Sequence, residues 1–361
     1  MAAPPSSRRR ALAPLALLKH LLLFAALAAL SGGVVRAMIG VGVMDQPDAR
    51  KAHQRPIPKG GGVGVVAAFL VGIGLLYGFA AFARIADPYF RGVILASAAI
   101  ALVAFLDDLR NWSFAVKLAA QLAAALLAVG SGLVVDRLNL PWLGPVALGW
   151  AAAPLTLAWI LFATNAVNFI DGLNGLAAGV SVIACAALGW IAAAHGGWFV
   201  YFACVLLAAG LAGFLPFNFP RARIFMGDVG SQFCGFVLAV LAVAAGRFQG
   251  VELSVLLVPI LLFGVLFDVA FTLVRRALAG DRLTQAHRSH LYQVAHRSGM
   301  AAPAVTLVHW GFALWGGLCC AVFLAAPGPG KPLAVLLVLP PQLGWVAYVC
   351  TRARRAGLER W

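Results

Sequence analysis

The stretch GLAAGVSVIACAALGWIAAA, residues 175–194, runs for 20 residues without a charged side chain. A helix of that length is about 30 Å long, which matches the hydrocarbon thickness of a bilayer. Similar apolar runs recur from one end of the chain to the other. The sequence therefore predicts an all-α, polytopic integral membrane protein.

The hydropathy pattern predicts ten or eleven membrane-spanning helices, most simply eleven, in one domain over residues 1–361. They are expected at about 12–35, 61–83, 91–106, 114–134, 146–164, 175–194, 198–216, 229–246, 254–274, 303–326 and 332–350. Lys19 and His20 interrupt the first run, and no clear cleavage site follows it. That run is therefore interpreted as the first span rather than as a signal peptide.

Charge and composition exclude several classes of protein. Only 11% of the 361 residues are charged and 63% are hydrophobic, whereas soluble domains carry about 25% charged residues. The net charge of +15 comes from Lys and Arg in the short loops, which the positive-inside rule explains without nucleic acid. One face receives 18 of these residues and the other 8. The N-terminus is therefore expected outside the cytoplasm and the C-terminus inside it.

The six cysteines form no Cys-x-x-Cys pair and are interpreted as buried apolar residues.

Four aspartates lie at predicted span ends on the cytoplasmic face: Asp107, Asp108, Asp171 and Asp228. Carboxylates at the edge of the hydrocarbon are costly and often mark functional sites. The alternative is that each one only caps a helix or sits among hydrated headgroups. Carboxylate oxygens suit Mg²⁺, which often binds substrate phosphates as well. The pattern therefore predicts a magnesium site, or Mn²⁺ in its place, that binds a pyrophosphate-containing substrate.

Two polar loops on the same predicted face carry further candidates. The loop at 45–62 contains Lys51 and His53, and the loop at 275–302 contains His287 and His290. Both loops could hold a phosphate, although an ordinary positive-inside loop would look similar. A zinc site would need further ligands that the sequence does not offer. Asp268, inside the ninth apolar run, is interpreted as an internal charge partner rather than a catalytic group.

These motifs together resemble the polyprenyl-phosphate N-acetylhexosamine-1-phosphate transferases. The resemblance extends from about Asp45 to Gln293, with five motifs in the order and spacing typical of that family. It implies transfer of a sugar 1-phosphate from a UDP-N-acetylaminosugar to a polyprenyl phosphate, with release of UMP. It also implies a bacterial inner-membrane enzyme with its site on the cytoplasmic face. A homodimer is a further expectation.

The resemblance also implies roles for individual residues. Asp107, Asp108 and Asp171 are expected to be catalytic, and Asp228, with Asp108, to bind magnesium. The expected substrate-binding residues are Lys51, His53, Lys117, Asn165, Asn168, Asn174, Asn218, His287 and His290.

Two departures from the family's common pattern refine the expected substrate. Position 174 is Asn where the family commonly has Asp, and the histidine loop reads His287-Arg288-Ser289-His290 rather than a triple His. Both features resemble the branch that initiates O-antigen synthesis, so a muramoyl-pentapeptide substrate is not expected.

A secondary transporter with acidic residues gathered on one side is the alternative from a different functional class. The acidic residues at span ends and the lack of a repeat argue against it.

Overall fold

The structure is a computed structural model. It describes residues 7–46, 55–79, 87–110, 112–140, 144–247, 253–283, 285 and 287–358. Lys51 and His53, predicted to bind substrate, lie outside the described residues.

The described chain is almost entirely helical. The helices of the first half are α1 (Ser7–Val41), α2 (Gly62–Phe79), α3 (Asp87–Arg110), α4 (Phe114–Gly130), α5 (Ala152–Ile170), α6 (Leu176–Ala194) and α7 (Trp198–Asn218). Those of the second half are α8 (Asp228–Arg247), α9 (Leu257–Leu261), α10 (Phe263–Leu278), α11 (Leu291–Arg297), α12 (Ala302–Ala325), α13 (Lys331–Leu336) and α14 (Leu339–Arg355).

Two short antiparallel hairpins join helices at opposite ends of the bundle. β1 (Met44–Asp45) pairs with β2 (Ile57–Pro58) between α1 and α2. β3 (Arg137–Leu140) pairs with β4 (Gly144–Ala147) between α4 and α5.

The helices confirm the prediction of an all-α polytopic membrane protein. Among the described residues, nine helical stretches are long and apolar enough to span a membrane. The other two predicted spans correspond to the 17-residue α4 and to the pair α9 and α10, which meet at Leu262. The last span consists of α13 and α14 with a break between them. The total of eleven spans and the orientation of the termini stay predictions.

α8 is the central helix of the bundle. Nearly all of its side chains are buried, from Val229 to Ala245. α3, α5 and α2 pack around it, so its N-terminal residue Asp228 lies among the ends of several neighbouring helices. This packing positions the site.

The start of α2 lies directly against the start of α8. The Gly61 and Gly62 N–H groups donate to the carbonyls of Phe225 and Met226 at 2.9 and 2.8 Å. A Cβ atom on Gly62 would lie 2.2 Å from the Gly230 Cα, so two backbones meet here. Glycine is required at position 62 because no side chain fits between them.

Gly62→Ala is expected to destabilise the protein by about 1–3 kcal/mol, because the backbones must separate to admit the methyl group. The measurement is denaturant unfolding of the detergent-solubilised protein, followed by tryptophan fluorescence. Gly74→Ala is the matched control, since it lies on the same helix and a Cβ there meets nothing within 4 Å. Equal stability of the two variants would contradict the prediction.

Candidate active site

A cavity of about 660 Å³ opens where α3, α5 and α8 end or begin, between the β1–β2 hairpin and α11. Its volume is in the range of small-molecule binding sites. Acidic residues line it: Asp45, Asp107, Asp108, Asp171 and Asp228. Basic residues line it as well: Lys59, Lys117, Arg288, His296 and Arg297. The structure thus brings together the four aspartates that the sequence places at span ends.

Lys117 joins two of these aspartates. Its Nζ lies 2.5 Å from Asp107 Oδ2 and 3.1 Å from Asp228 Oδ2. Asp107 also accepts the Trp112 N–H at 2.8 Å, which fixes its carboxylate at the end of α3. The lysine therefore holds the carboxylates of α3 and α8 together across the start of α4.

Asp108 caps the central helix. Its Oδ2 accepts the Val229 N–H at 3.0 Å, and Lys59 Nζ lies 3.5 Å from its Oδ1. A carboxylate is stabilised at a helix N-terminus by the free N–H groups and the helix dipole. Gly227, with φ +76°, allows the approach, since a Cβ there would lie 2.7 Å from Asp108 Oδ2.

Amide side chains orient the Asp228 carboxylate. Asn168 Nδ2 donates to its Oδ1 at 3.1 Å, and Gln232 Nε2 donates to its Oδ2 at 3.1 Å. Gln121 Nε2 in turn donates to Gln232 Oε1 at 3.0 Å, and Asn165 Nδ2 donates to Gln121 Oε1 at 2.7 Å. Asn165 is thus part of the network beneath the cavity and is not one of the residues that line it.

Asp171 follows α5 and lines the cavity. Burial, followed by the charges of Asp228 and Asp108, raises its pKa well above the ordinary value. The negative charges of Asp228 and Asp108 thus favour a proton on Asp171 or a cation near it.

The residues after Asp171 form a turn that is held by hydrogen bonds to Asn218. Asn218 Oδ1 accepts the Gly175 N–H at 2.6 Å, and its Nδ2 donates to the Ile224 carbonyl at 3.0 Å. Asn174 Nδ2 donates to the Pro220 carbonyl at 3.2 Å. Both asparagines line the cavity, but these bonds show that they also shape its floor. Substrate contact by either residue stays a prediction.

The histidine loop lies differently from what its motif suggests. His290 is buried, and neither it nor His287 is among the lining residues. The loop instead presents Arg288, Gln293, His296 and Arg297 to the cavity, which sequence reasoning did not single out. Gln293, His296 and Arg297 are spaced three and four residues apart, which places them on one face of a helix. That spacing is the feature of the sequence that could have indicated these three residues as lining the site.

His287 has a neutral imidazole at neutral pH. Burial, with the charges of His290, Arg276 and Arg275, lowers its pKa from 6.5 to about 4. The unfolded chain takes up the proton near pH 6.5 but the folded chain only near pH 4. Acidification over that window therefore favours unfolding.

We expect wild-type protein to lose more unfolding free energy between about pH 7 and about pH 5 than His287→Gln does, because glutamine does not titrate. Denaturant titrations at the two pH values measure the difference. An identical loss in both proteins would contradict the prediction.

The residues present fit a partial magnesium site. Among the described residues, no three His, Cys, Asp or Glu side chains form a complete metal centre. Mg²⁺ often binds only one or two carboxylates and completes its coordination with water and substrate phosphates. Asp228, whose side chain is 28% exposed, and Asp108 supply hard oxygen donors at the cavity.

Comparison with known proteins finds relatives that are named as transferases of N-acetylglucosamine phosphate or of phospho-N-acetylmuramoyl-pentapeptide. The sequence profile of glycosyl transferase family 4 matches residues 90–246. The chain is 34% identical over 277 residues to the probable undecaprenyl-phosphate N-acetylglucosaminyl 1-phosphate transferase of Bacillus subtilis, covering 76% of this chain and 75% of that protein. It is 31% identical over 311 residues to the decaprenyl-phosphate N-acetylglucosaminephosphotransferase of Mycobacterium tuberculosis, covering 79% and 76%. It is 30% identical over 240 residues to the phospho-N-acetylmuramoyl-pentapeptide-transferase of Lactobacillus johnsonii, covering 63% and 72%.

Proposed function

Because the chain belongs to the polyprenyl-phosphate N-acetylhexosamine-1-phosphate transferases of glycosyl transferase family 4, we propose that it transfers an N-acetylhexosamine 1-phosphate from a UDP-sugar to a polyprenyl phosphate. N-acetylglucosamine is the proposed sugar, since it is named in the Bacillus subtilis and Mycobacterium tuberculosis relatives, whose matches cover 76% and 79% of this chain. The products are a polyprenyl-diphosphate-sugar and UMP.

The observation that carries this proposal is the mixed charge of the cavity. Asp107, Asp108, Asp171 and Asp228 line the cavity together with Arg288 and Arg297. Carboxylates can hold a divalent cation, and arginine side chains bind phosphate oxygens. A sugar nucleotide and a lipid phosphate together present the anionic groups that such a cavity fits.

In the proposed reaction, an oxygen of the lipid phosphate attacks the phosphorus that carries the sugar. The bond between that phosphorus and the bridging oxygen of UMP breaks, and UMP leaves with the bond electrons. A phosphate monoester has a second pKa of about 6, so the attacking oxygen is already largely ionised at neutral pH. No general base is needed, and we favour direct attack over a covalent enzyme intermediate. Trapping a phosphorylated enzyme without lipid acceptor would overturn that preference.

Mg²⁺ or Mn²⁺, when bound, would neutralise charge on the pyrophosphate. Asp228 and Asp108 would hold it, with Asp171 beside them. Lys117 and Lys59 would hold Asp228 and Asp108 in place through their ion pairs. Asn168 and Gln232 would orient the Asp228 carboxylate towards the cavity.

UDP-sugars are made in the cytoplasm, so the cavity would face that side of a bacterial inner membrane. Undecaprenyl phosphate is the proposed carrier, in line with the name of the Bacillus subtilis relative. The reaction would start a lipid-linked glycan such as O-antigen.

A muramoyl-pentapeptide donor is not proposed, because Asn174 and the His287–His290 loop depart from that branch. A transporter is not proposed either. The carboxylates lie at helix ends, whereas transporter sites lie near the middle of the membrane, and the chain belongs to a family of transferases.

The test is UMP release by purified protein given undecaprenyl phosphate, Mg²⁺ and a panel of UDP-N-acetylaminosugars. Metal-dependent UMP release with one donor, accompanied by a lipid-linked sugar phosphate, would support the proposal and identify the donor. Folded protein that releases no UMP with any donor would contradict it.

A further inference from the structure

Asp268 is a buried carboxylate that lies outside the cavity lining. It sits on α10 and is 2% exposed. Its Oδ1 accepts the Leu291 N–H at 2.9 Å, and its Oδ2 accepts the Tyr292 N–H at 3.0 Å. These are the first two N–H groups of α11, so a side chain from another helix holds the start of α11.

Further donors complete the surroundings of this carboxylate. His290 Nδ1 lies 3.2 Å from Asp268 Oδ1, and Thr272 Oγ1 donates to the same oxygen at 3.3 Å. Asp268 thus contacts His290, and His309 Nε2 lies 4.0 Å from its Oδ2; its interpretation as an internal charge partner stays a prediction. A buried carboxylate is tolerated only when such partners satisfy its oxygens.

α11 needs anchors of this kind because it has only seven residues. Isolated helices much shorter than about 12–15 residues are marginal. Leu291, Val294 and Ala295 on its inner face are buried in the bundle. Gln293, His296 and Arg297 line the cavity. The orientation of these cavity-lining side chains therefore depends on contacts made by other helices.

The same short helix contacts the carboxylate side of the cavity. The Tyr292 hydroxyl donates to the Phe169 carbonyl at 2.8 Å, two residues before Asp171. Gly172 packs on the Tyr292 ring so closely that a Cβ there would lie 2.3 Å from the hydroxyl oxygen. Any shift of α11 would thus move Arg297 relative to Asp171.

We propose that Asp268 is a positioning residue for substrate binding: by holding the first turn of α11 it sets the distance between Arg297 and the aspartates. The inference rests on the proposed function. Asp268 does not touch the cavity, so it acts through α11 and not on the reacting atoms.

A carboxylate is required because it must accept two N–H groups on its two oxygens. Asparagine has one acceptor oxygen and a donor NH₂ group. Asp268→Asn therefore leaves either Leu291 or Tyr292 with its N–H facing a donor. The start of α11 should move away while side-chain volume and the surrounding packing stay nearly the same.

We expect Asp268→Asn to raise KM for the UDP-sugar by about tenfold or more and to change kcat by less than about threefold, because binding contacts shift while the reacting groups stay in place. Hydrogen exchange at 291–297 should become faster in the same variant. Asp281→Asn is the matched control, since that exposed carboxylate contacts Arg276 and does not line the cavity. It should change neither KM nor exchange in α11.

Thr272→Val provides a milder test that keeps the carboxylate, and it is used in place of Asp268→Asn if that variant does not fold. It removes one donor to Asp268 and should raise KM by about threefold. An unchanged KM in a folded variant, or a loss confined to kcat, would overturn the inference.

The failure of the proposed function is distinguishable from failure of this inference. If folded wild-type protein releases no UMP with any donor, the proposed function is wrong. If hydrogen exchange at 291–297 is unchanged in Asp268→Asn, the proposed anchoring of α11 is wrong, whether or not the wild type is active.

Discussion

Asp228→Asn is expected to lower UMP release by about 10³-fold, the loss typical of removing a central electrostatic group. The carboxylate is the first residue of α8 and lies at the meeting point of Lys117, Asn168 and Gln232. Asparagine has the same shape but no charge, so it would hold a divalent cation far less well. The measurement is the rate of UMP release at saturating donor and acceptor.

Asp136→Asn is the control for this substitution. Asp136 forms an ion pair with Arg247 at 2.7 Å at the opposite end of the bundle, and its side chain is 61% exposed. It should release UMP at the wild-type rate. Substantial activity in folded Asp228→Asn would contradict the proposed role of Asp228.

Lys117→Met is expected to lower UMP release by about 10²-fold and to reduce thermal stability. Without the ammonium group, the Asp107 and Asp228 carboxylates would face each other with no bridging cation. Breaking a partly buried charge pair on one side leaves an uncompensated charge, which is the costly case. The measurements are UMP release and the thermal unfolding midpoint in detergent.

Added Mg²⁺ should restore part of the stability that Lys117→Met loses, because a divalent cation can stand between the two carboxylates. Lys331→Met is the matched control, since this lysine lies over the Phe323 ring at the far end of α12. A Lys117→Met protein as active and as stable as the wild type would contradict the bridging role. A Mg²⁺ response equal to that of Lys331→Met, whose site is unchanged, would contradict the expectation that a cation takes the place of Lys117 between Asp107 and Asp228.

The class of fold and the set of aspartates were predictable from hydropathy and residue type alone. Long apolar runs have one stable state in a bilayer, the helix, because every backbone polar group must be bonded internally. The predicted spans therefore coincide with helices even where one of them, near Leu262, is broken in two. Charged residues cannot lie deep in such spans without cost, so Asp107, Asp171 and Asp228 mark span ends.

Local pattern did not determine which residues would face the cavity. His290 belongs to a motif that indicates substrate binding, yet its ring is buried against Asp268. Arg297, which no motif singled out, lines the cavity. The two side chains are seven residues apart, and the docking of α11 against α14, α12 and α10 decides which is buried and which is exposed.

Contacts between distant parts of the chain also establish which charges pair. Lys117 contacts an aspartate 111 residues later in the chain, and Lys59, directly after β2, contacts Asp108 on α3. Asn218 bonds to a turn 43 residues before it. Hydropathy predicts that a helix forms, although predicted ends such as 146–164 differ by several residues from the observed Ala152–Ile170. The rotation of each helix, and thus its partners, depends on packing between helices, such as the close backbone contact of Gly62 with Gly230.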